Sequence, residues 1–141
     1  MSDRYFVDTN IFMYAHQPST GLKHQRAQTL VENLWQSRQG VLSTQVLQEL
    51  CVNLQRKLEP PLPAEPLRQL LRDYMRWNVV VNTAESVIEA LELELRHKIS
   101  FWDALVLHSA QSAGASVLYS EDFTAGQKYD GVEVVNPLVA P

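Results

Sequence analysis

The feature that most constrains this fold is the alternation of short apolar runs with longer amphipathic stretches. The runs at residues 5–7, 41–42, 79–81, 117–119 and 132–135 have the composition of buried strands. Between them, apolar residues recur every three or four positions, as they do in helices with one buried face. Strands that alternate with helices favour a parallel sheet covered on both faces. The sequence therefore predicts a three-layer α/β/α architecture.

The length and the cysteine content narrow the class of protein further. A chain of 141 residues has the size of one domain, and we expect residues 1–141 to form it. Cys51 is the only cysteine, which excludes an intrachain disulfide and a cysteine-rich zinc site. The chain opens without a leader-like segment, and its apolar runs are too short to span a membrane. We therefore expect a cytoplasmic protein.

The charge balance does not by itself indicate a nucleic-acid-binding protein. The sequence has 12 Lys and Arg against 16 Asp and Glu, a formal net charge of −4. Binding to phosphates favours a basic surface, so this balance counts against an RNA partner. The objection weakens if several of the acids bind metal cations that offset their charge, or if a basic patch lies on an otherwise acidic surface.

Four acids are placed where the predicted architecture gathers functional groups. Asp8 directly follows the first predicted strand, and Asp122 comes three residues after Tyr119 at the end of the fourth. Glu49 and Asp103 lie near the starts of predicted helices. Ligands of open parallel sheets bind beyond the carboxyl ends of the strands, where these helices also begin. The four carboxylates are therefore expected at one edge of the sheet.

Clustered carboxylates suit a hard metal ion. They repel one another unless a cation compensates them or their pKa values rise. Oxygen ligands without His or Cys favour Mg²⁺ or Mn²⁺, which act on phosphate esters by activating water and neutralising charge. The sequence has no nucleophile elbow, no zinc-protease motif and no glycine-rich phosphate loop. Metal-assisted chemistry on a phosphate ester needs none of these motifs, because it uses no nucleophilic side chain.

Each acid also has a purely structural interpretation. Asp8 could cap the helix that follows it, and the spacing of Ser100 and Asp103 resembles a capping box. Taken alone, Glu49 is typical of a solvated helix face, and Asp122 is typical of a turn. The functional interpretation depends on the four acids as a set.

Four short motifs contain these acids: VDTNI at residues 7–11, QEL at 48–50, FWDAL at 101–105 and LYSEDF at 118–123. In this order and spacing they resemble the PIN-domain nucleases, particularly the VapC-type toxins of bacterial toxin–antitoxin pairs. The resemblance extends along essentially the whole chain. It implies a PIN-like domain with a parallel five-stranded sheet, and metal-dependent endonucleolytic cleavage of RNA with Mg²⁺ as cofactor and Mn²⁺ as a substitute.

The resemblance also assigns roles by position. Asp8 and Asp103 resemble the principal metal ligands, and Glu49 resembles the acid that completes the cluster and orients or deprotonates the attacking water. Asp122 is expected to contribute directly or through a metal-bound water, with its neighbour Glu121 as the alternative fourth acid. Three polar residues resemble those that steady the cluster by hydrogen bonds: Thr9, Asn10 and Ser120.

Partners are implied by the resemblance alone. VapC-like proteins commonly form homodimers, and a partner antitoxin inhibits them by inserting a peptide near the active site. The spacing of Arg68, Arg72 and Arg76 places three cations on one helix face, which is either solvated or in contact with RNA. Trp102, beside Asp103, is expected to pack in the core or an interface rather than stack on a base.

Three other classes compete with this assignment. A haloacid-dehalogenase-like phosphatase needs an Asp-x-Asp pair, whereas Thr9 and Asn10 follow Asp8. A receiver-type domain needs a lysine after its last strand, and residues 132–141 contain none. A non-catalytic PIN-like module that binds RNA or protein has no use for all four acids, so their joint presence favours a nuclease.

Overall fold

The computed structural model describes residues 3–124 and 126–139. Two consecutive helices separate each of the first three strands from the next, and a short 3₁₀ turn at Pro18–Thr20 connects the first two helices. In chain order the elements are β1 (Tyr5–Val7), α1 (Thr9–Ala15), α2 (Leu22–Ser37), β2 (Gly40–Ser43), α3 (Thr44–Arg56), α4 (Ala64–Tyr74), β3 (Asn78–Val80), α5 (Ala84–His97), α6 (Phe101–Ser112), β4 (Val117–Tyr119), β5 (Lys128–Tyr129) and β6 (Val132–Val135).

The sheet confirms the predicted α/β architecture and corrects the strand count. Its strand order is β3-β2-β1-β4-β6-β5, and the five predicted strands run parallel to one another. The expected five-stranded parallel sheet is wrong in one respect, because β5 adds a sixth strand that pairs antiparallel with β6. Asp130 and Gly131 join these two strands with φ angles of 50° and 93°. Two consecutive positive φ angles are typical of a two-residue hairpin turn, which an Asp-Gly pair favours.

The central strands are buried because helices cover both faces of the sheet. Phe6 and Val7 in β1, Leu42 in β2 and Leu118 in β4 are fully buried. At the start of β2, a side chain on Gly40 would come within 2.4 Å of the Trp77 ring, so glycine lets this ring lie directly against the strand. Strands that are apolar on both faces are typical of parallel sheets covered by helices.

The strand order reverses direction at β1. From β1 the chain builds outward to β2 and β3, and it then returns to place β4 on the other side of β1. Such a reversal leaves a crevice beyond the carboxyl ends of the two central strands, which is where ligands bind in open α/β sheets. Asp8 follows β1 at this point, and Ser120 follows β4.

None of the helices within residues 3–124 and 126–139 combines the length and the apolar character that crossing a membrane requires.

Candidate metal centre

Asp8 lies at the carboxyl end of β1 and is buried, with 5% of its surface exposed. It is the N-cap of α1, where one carboxylate oxygen accepts a hydrogen bond of 2.8 Å from the Thr9 backbone N–H. The second oxygen accepts one of 2.8 Å from the Ser120 hydroxyl. The capping interpretation and the sheet-edge interpretation of Asp8 therefore both hold, because the two oxygens have different partners.

Burial dominates the electrostatics of Asp8. It raises the pKa of this carboxyl from 3.8 to about 7, although the hydrogen bonds from Ser120 and Thr9 act in the opposite direction. The negative charges of Asp122 and Glu49 raise the pKa further. Asp8 therefore titrates near neutral pH in the metal-free protein, and a cation bound beside its carboxylate would favour the ionised form.

Glu49 reaches the same region from α3. Its Oε1 accepts a short hydrogen bond of 2.6 Å from the Thr9 hydroxyl, which directly follows Asp8 in the chain. Thr9 is itself buried at the start of α1. One residue thus connects two of the predicted acids, since its backbone N–H binds Asp8 and its side chain binds Glu49.

Asp103 lies in the first turn of α6, half-buried. Its backbone N–H donates to the Ser100 hydroxyl at 3.1 Å, so Ser100 caps this helix as the spacing of the two residues predicted. Burial raises the pKa of the Asp103 carboxyl, a hydrogen bond from the Ser100 side chain to that carboxyl lowers it, and the charge of Asp122 raises it. Asp103 also lines the cavity described below.

The structure separates the two candidates for the fourth acid. Glu121 accepts hydrogen bonds from the Tyr14 hydroxyl at 2.8 Å and from Lys23 Nζ at 2.7 Å. Burial alone would raise the pKa of Glu121, yet these contacts hold it below its ordinary value. Asp122 lines the cavity instead, and its backbone N–H donates to the Ser120 hydroxyl at 3.1 Å. Asp122 therefore faces the other acids.

All four predicted acids line one cavity of about 420 Å³ at the carboxyl edge of the sheet. They do not converge on a single point. Within residues 3–124 and 126–139, no three Asp, Glu, His or Cys side chains are grouped closely enough to hold a metal ion. The acids therefore surround a space rather than form a closed ligand cage.

Two of the three polar residues predicted to support the acids form hydrogen bonds with them. Thr9 and Ser120 are buried and bind acids directly, as described above. Asn10 contacts the loop after β4 instead, because its Oδ1 accepts from the Glu121 backbone N–H at 3.4 Å. Its Nδ2 is buried without a hydrogen-bond partner among the described residues.

Several cavity residues were not predicted. Gln45, Asn53 and Lys57 of the α3 segment line the cavity together with Glu49. Together with Glu49 they recur at intervals of four residues, a spacing that is visible in the sequence and predicts one shared helix face. Met13 and Tyr14 of α1, and Gln17 just after it, also line the cavity.

The structure also shows where the other singled-out side chains lie. Arg68, Arg72 and Arg76 do not line the acid-lined cavity. Arg68 forms an ion pair with Glu65, and Arg76 borders a separate cavity beside Trp77. Trp102 is not packed in the core, because 64% of its surface is exposed and it lines the acid-lined cavity. The other expectation, that it packs in an interface, stays a prediction.

The fold and the site together define a class: an α/β/α protein whose mostly parallel sheet carries an acid-lined cavity at its carboxyl edge. The sequence matches the PIN domain family over residues 5–128, which is most of the chain. The protein therefore belongs to the PIN domain family, and the expectation drawn from the four motifs is confirmed at this level.

Solved structures with the same fold include components of toxin–antitoxin complexes. A toxin–antitoxin complex from Klebsiella pneumoniae matches with a TM-score of 0.69 and 20% identity, covering 94% of this chain and 97% of the other. VapC20 of Mycobacterium tuberculosis, a toxin that cleaves the sarcin–ricin loop, matches with a TM-score of 0.62 and 24% identity over 84% and 89%. DNA-bound VapBC from Salmonella typhimurium matches with a TM-score of 0.62 and 16% identity, covering 94% of this chain and 97% of the other. These likenesses show the fold. No curated protein matches the sequence.

Proposed function

We propose that this protein is a metal-dependent endoribonuclease that hydrolyses RNA phosphodiester bonds. The observation that carries the proposal is the position of Asp8, a carboxylate buried at the strand-order reversal with the charges of Glu49 and Asp122 close enough to affect its pKa. Burying a carboxylate beside other carboxylates is unfavourable without a cation. In this proposal Asp8, Glu49, Asp103 and Asp122 hold Mg²⁺, with Mn²⁺ as a substitute.

The donor set fits this ion. The four side chains offer only carboxylate oxygens, which are the ligands that Mg²⁺ and Mn²⁺ prefer. Mg²⁺ usually keeps several waters and binds through one or two carboxylates together with substrate phosphate. Acids that surround a space, without closing a cage, suit that mode of binding. When bound, the ion would activate a water and neutralise charge on the phosphate and the leaving oxygen.

The residues of the chain itself orient the site. Ser120 and the Thr9 backbone fix both oxygens of Asp8, so this ligand points into the cavity in one orientation. The Thr9 hydroxyl fixes Oε1 of Glu49, which leaves Oε2 available to accept the proton of an attacking water. Asp103 and Asp122 approach from α6 and from the loop after β4. This arrangement needs no nucleophilic side chain.

We further propose that the chain is the toxin of a toxin–antitoxin pair. The support is the shared fold with a Klebsiella pneumoniae toxin–antitoxin complex and with VapBC of Salmonella typhimurium, each covered over 97% of its length. On this proposal an antitoxin protein binds the chain and inhibits it, and the toxin forms a homodimer. Co-expression with the product of a neighbouring gene, followed by co-purification and a cleavage assay, tests the antitoxin.

The nuclease is tested by incubating total RNA with pure protein in Mn²⁺ or in chelator. We expect discrete fragments that require both the metal and Asp8, so the Asp8→Asn variant should yield none. Asp3→Asn removes an exposed acid outside the cavity and should cleave like wild type. Full metal-dependent cleavage by Asp8→Asn would refute the site. A folded wild type without cleavage, tested also on short synthetic RNAs, would favour a non-catalytic binding module.

A further inference from the structure

One face of α3 continues away from the acids as a row of polar side chains. Gln45, Glu49, Asn53 and Lys57 follow one another at intervals of four residues, and all four line the acid-lined cavity. At a rise of about 1.5 Å per residue, the row spans roughly 18 Å along the helix. It is therefore longer than a metal centre needs.

Gln45 is the innermost member of this row and has an unusual environment. Only 5% of its surface is exposed, and its side-chain oxygen is buried without a hydrogen-bond partner among the described residues. Its backbone N–H is bound to Asn82 Oδ1 at 3.0 Å, which holds the residue in place. A buried amide oxygen without a partner is unfavourable, and a ligand that donates a hydrogen bond would relieve it.

Lys57, at the outer end of the row, is the cation among the residues that line the cavity. It is exposed, and none of the ion pairs found within residues 3–124 and 126–139 involves it. Four carboxylates in the same cavity would repel an RNA strand. The ammonium group of Lys57 would attract a phosphate of that strand at some distance from the acids.

Trp102 lines the cavity from the start of α6, directly before Asp103. It is 64% exposed, and its ring meets Phe101 edge-to-face with centroids 5.3 Å apart. A large exposed aromatic ring contributes little to the stability of the fold. Such rings are the usual platforms on which single-stranded nucleic acids stack their bases.

We propose that Trp102 and the polar row of α3 bind one unpaired nucleotide of the RNA next to the cleaved bond. Its base stacks on Trp102, Gln45 accepts a hydrogen bond from that nucleotide, and Lys57 binds a phosphate of the same strand. This assignment rests on the proposed ribonuclease function and identifies the residues that select the substrate. The cavity of about 420 Å³ lies within the usual size range of small-ligand sites.

The geometry selects a single strand over a duplex. A base within a duplex is stacked on both sides and paired, so its faces are unavailable to Trp102. An unpaired base has a free face, and stacking tolerates any base because every base has an aromatic surface. Sequence preference would come from the hydrogen bond to Gln45.

The test measures RNA binding separately from cleavage. Fluorescence anisotropy is recorded with a labelled single-stranded RNA about ten nucleotides long, in Ca²⁺, with a gel to show that the RNA stays intact. We expect Trp102→Ala to weaken binding about 5- to 150-fold, as loss of one stacked base does, and Trp102→Phe to retain most of the affinity. Leu95→Ala, which truncates a 70% exposed side chain of α5 outside the cavity, is the matched control.

Two further variants test the α3 row. Lys57→Ala should reduce the slope of log Kd against log salt concentration by about 0.7, the contribution of one phosphate on a single strand. Arg56→Ala, which removes the neighbouring cation outside the cavity, should leave that slope unchanged. Gln45→Met keeps the side-chain length without the amide and should weaken binding, whereas Gln48→Met on the exposed face should not.

The outcomes distinguish this inference from the proposed function. Equal binding by wild type and Trp102→Ala, or equal binding of duplex and single-stranded RNA, would overturn the stacking assignment even if the enzyme cleaves RNA. Absence of RNA binding by wild type would also overturn it. Binding that depends on Trp102, in a wild type that never cleaves RNA, would support this inference and refute the nuclease.

Discussion

The Ser120 hydroxyl donates a hydrogen bond of 2.8 Å to Asp8 Oδ2 across 112 residues of sequence. It joins the carboxyl ends of β1 and β4, the two strands on either side of the order reversal. The same hydroxyl accepts from the Asp122 backbone N–H at 3.1 Å. Ser120 therefore fixes the positions of two of the proposed metal ligands relative to each other.

Replacing Ser120 with Ala should affect both stability and activity. The loss of a buried hydrogen bond to a carboxylate should lower the free energy of unfolding by about 1–3 kcal/mol. Because this bond lowers the pKa of Asp8, its loss should move the acidic limb of the pH–activity profile to higher pH. Denaturant unfolding and a cleavage profile measure the two effects. Ser116→Ala, on an exposed residue, is the control, and an unchanged acidic limb would contradict the role of Ser120.

The pKa of Asp8 predicts a pH dependence of stability in chelator. Between its ordinary value of 3.8 and its folded value of about 7, the folded protein holds a proton that the unfolded chain has released. The contribution of Asp8 to stability is therefore fully present below about pH 4 and is lost as the pH rises through 7. We expect the stability difference between wild type and Asp8→Asn to fall over this range. A constant difference in urea-unfolding series would be inconsistent with a raised pKa.

Divalent metal should stabilise the folded protein by mass action. At a Mn²⁺ concentration tenfold above its Kd, the gain is about 1.4 kcal/mol, which corresponds to roughly 3–8 °C in the thermal midpoint. The effect should grow from pH 6 to pH 8, because the metal competes with the proton on Asp8. Differential scanning fluorimetry measures it. The same increase in Asp8→Asn would mean that the metal binds elsewhere.

Thr9→Val tests whether Glu49 must be held by a hydroxyl. The change keeps the branched shape and removes the 2.6 Å hydrogen bond to Glu49. Groups that orient metal ligands typically contribute 10- to 100-fold to affinity or activity, so we expect about that loss in kcat. Thr9→Ser retains the hydroxyl and should recover most of the rate. If Thr9→Ser is as impaired as Thr9→Val, packing rather than the hydrogen bond explains the loss.

The two adjacent acids after β4 should behave differently. Asp122→Asn should lower kcat by at least about tenfold, because this side chain lines the cavity. Glu121→Gln should cleave at a rate within about threefold of wild type, since Glu121 binds Tyr14 and Lys23 instead and a partly exposed ion pair contributes little. Parallel cleavage assays of the two variants and the wild type measure these rates. A larger loss in Glu121→Gln would reverse the assignment of the fourth acid.

The sequence by itself determined the layered α/β architecture and the positions of its five main strands along the chain. Apolar periodicity is a property of neighbouring residues in the sequence. The apolar runs around Phe6, Val41 and Leu118 therefore indicate buried strands without any knowledge of their tertiary contacts. The positions of Asp8 and Asp122 just after two of these strands predicted their place at the carboxyl edge of the sheet. The β5–β6 hairpin was missed because β5 has only two residues, too few to show a period.

Only the tertiary structure decided how the candidate site is assembled. Glu121 and Asp122 are neighbours in sequence, and what separates them is the presence of Tyr14 and Lys23 from α1 and α2 beside the first of them. Tryptophan is a residue type that usually packs in a core or an interface, yet the Trp102 side chain is exposed and lines the acid-lined cavity. Contacts between residues far apart in the chain depend on which helices and strands become neighbours. Local sequence patterns do not determine these contacts.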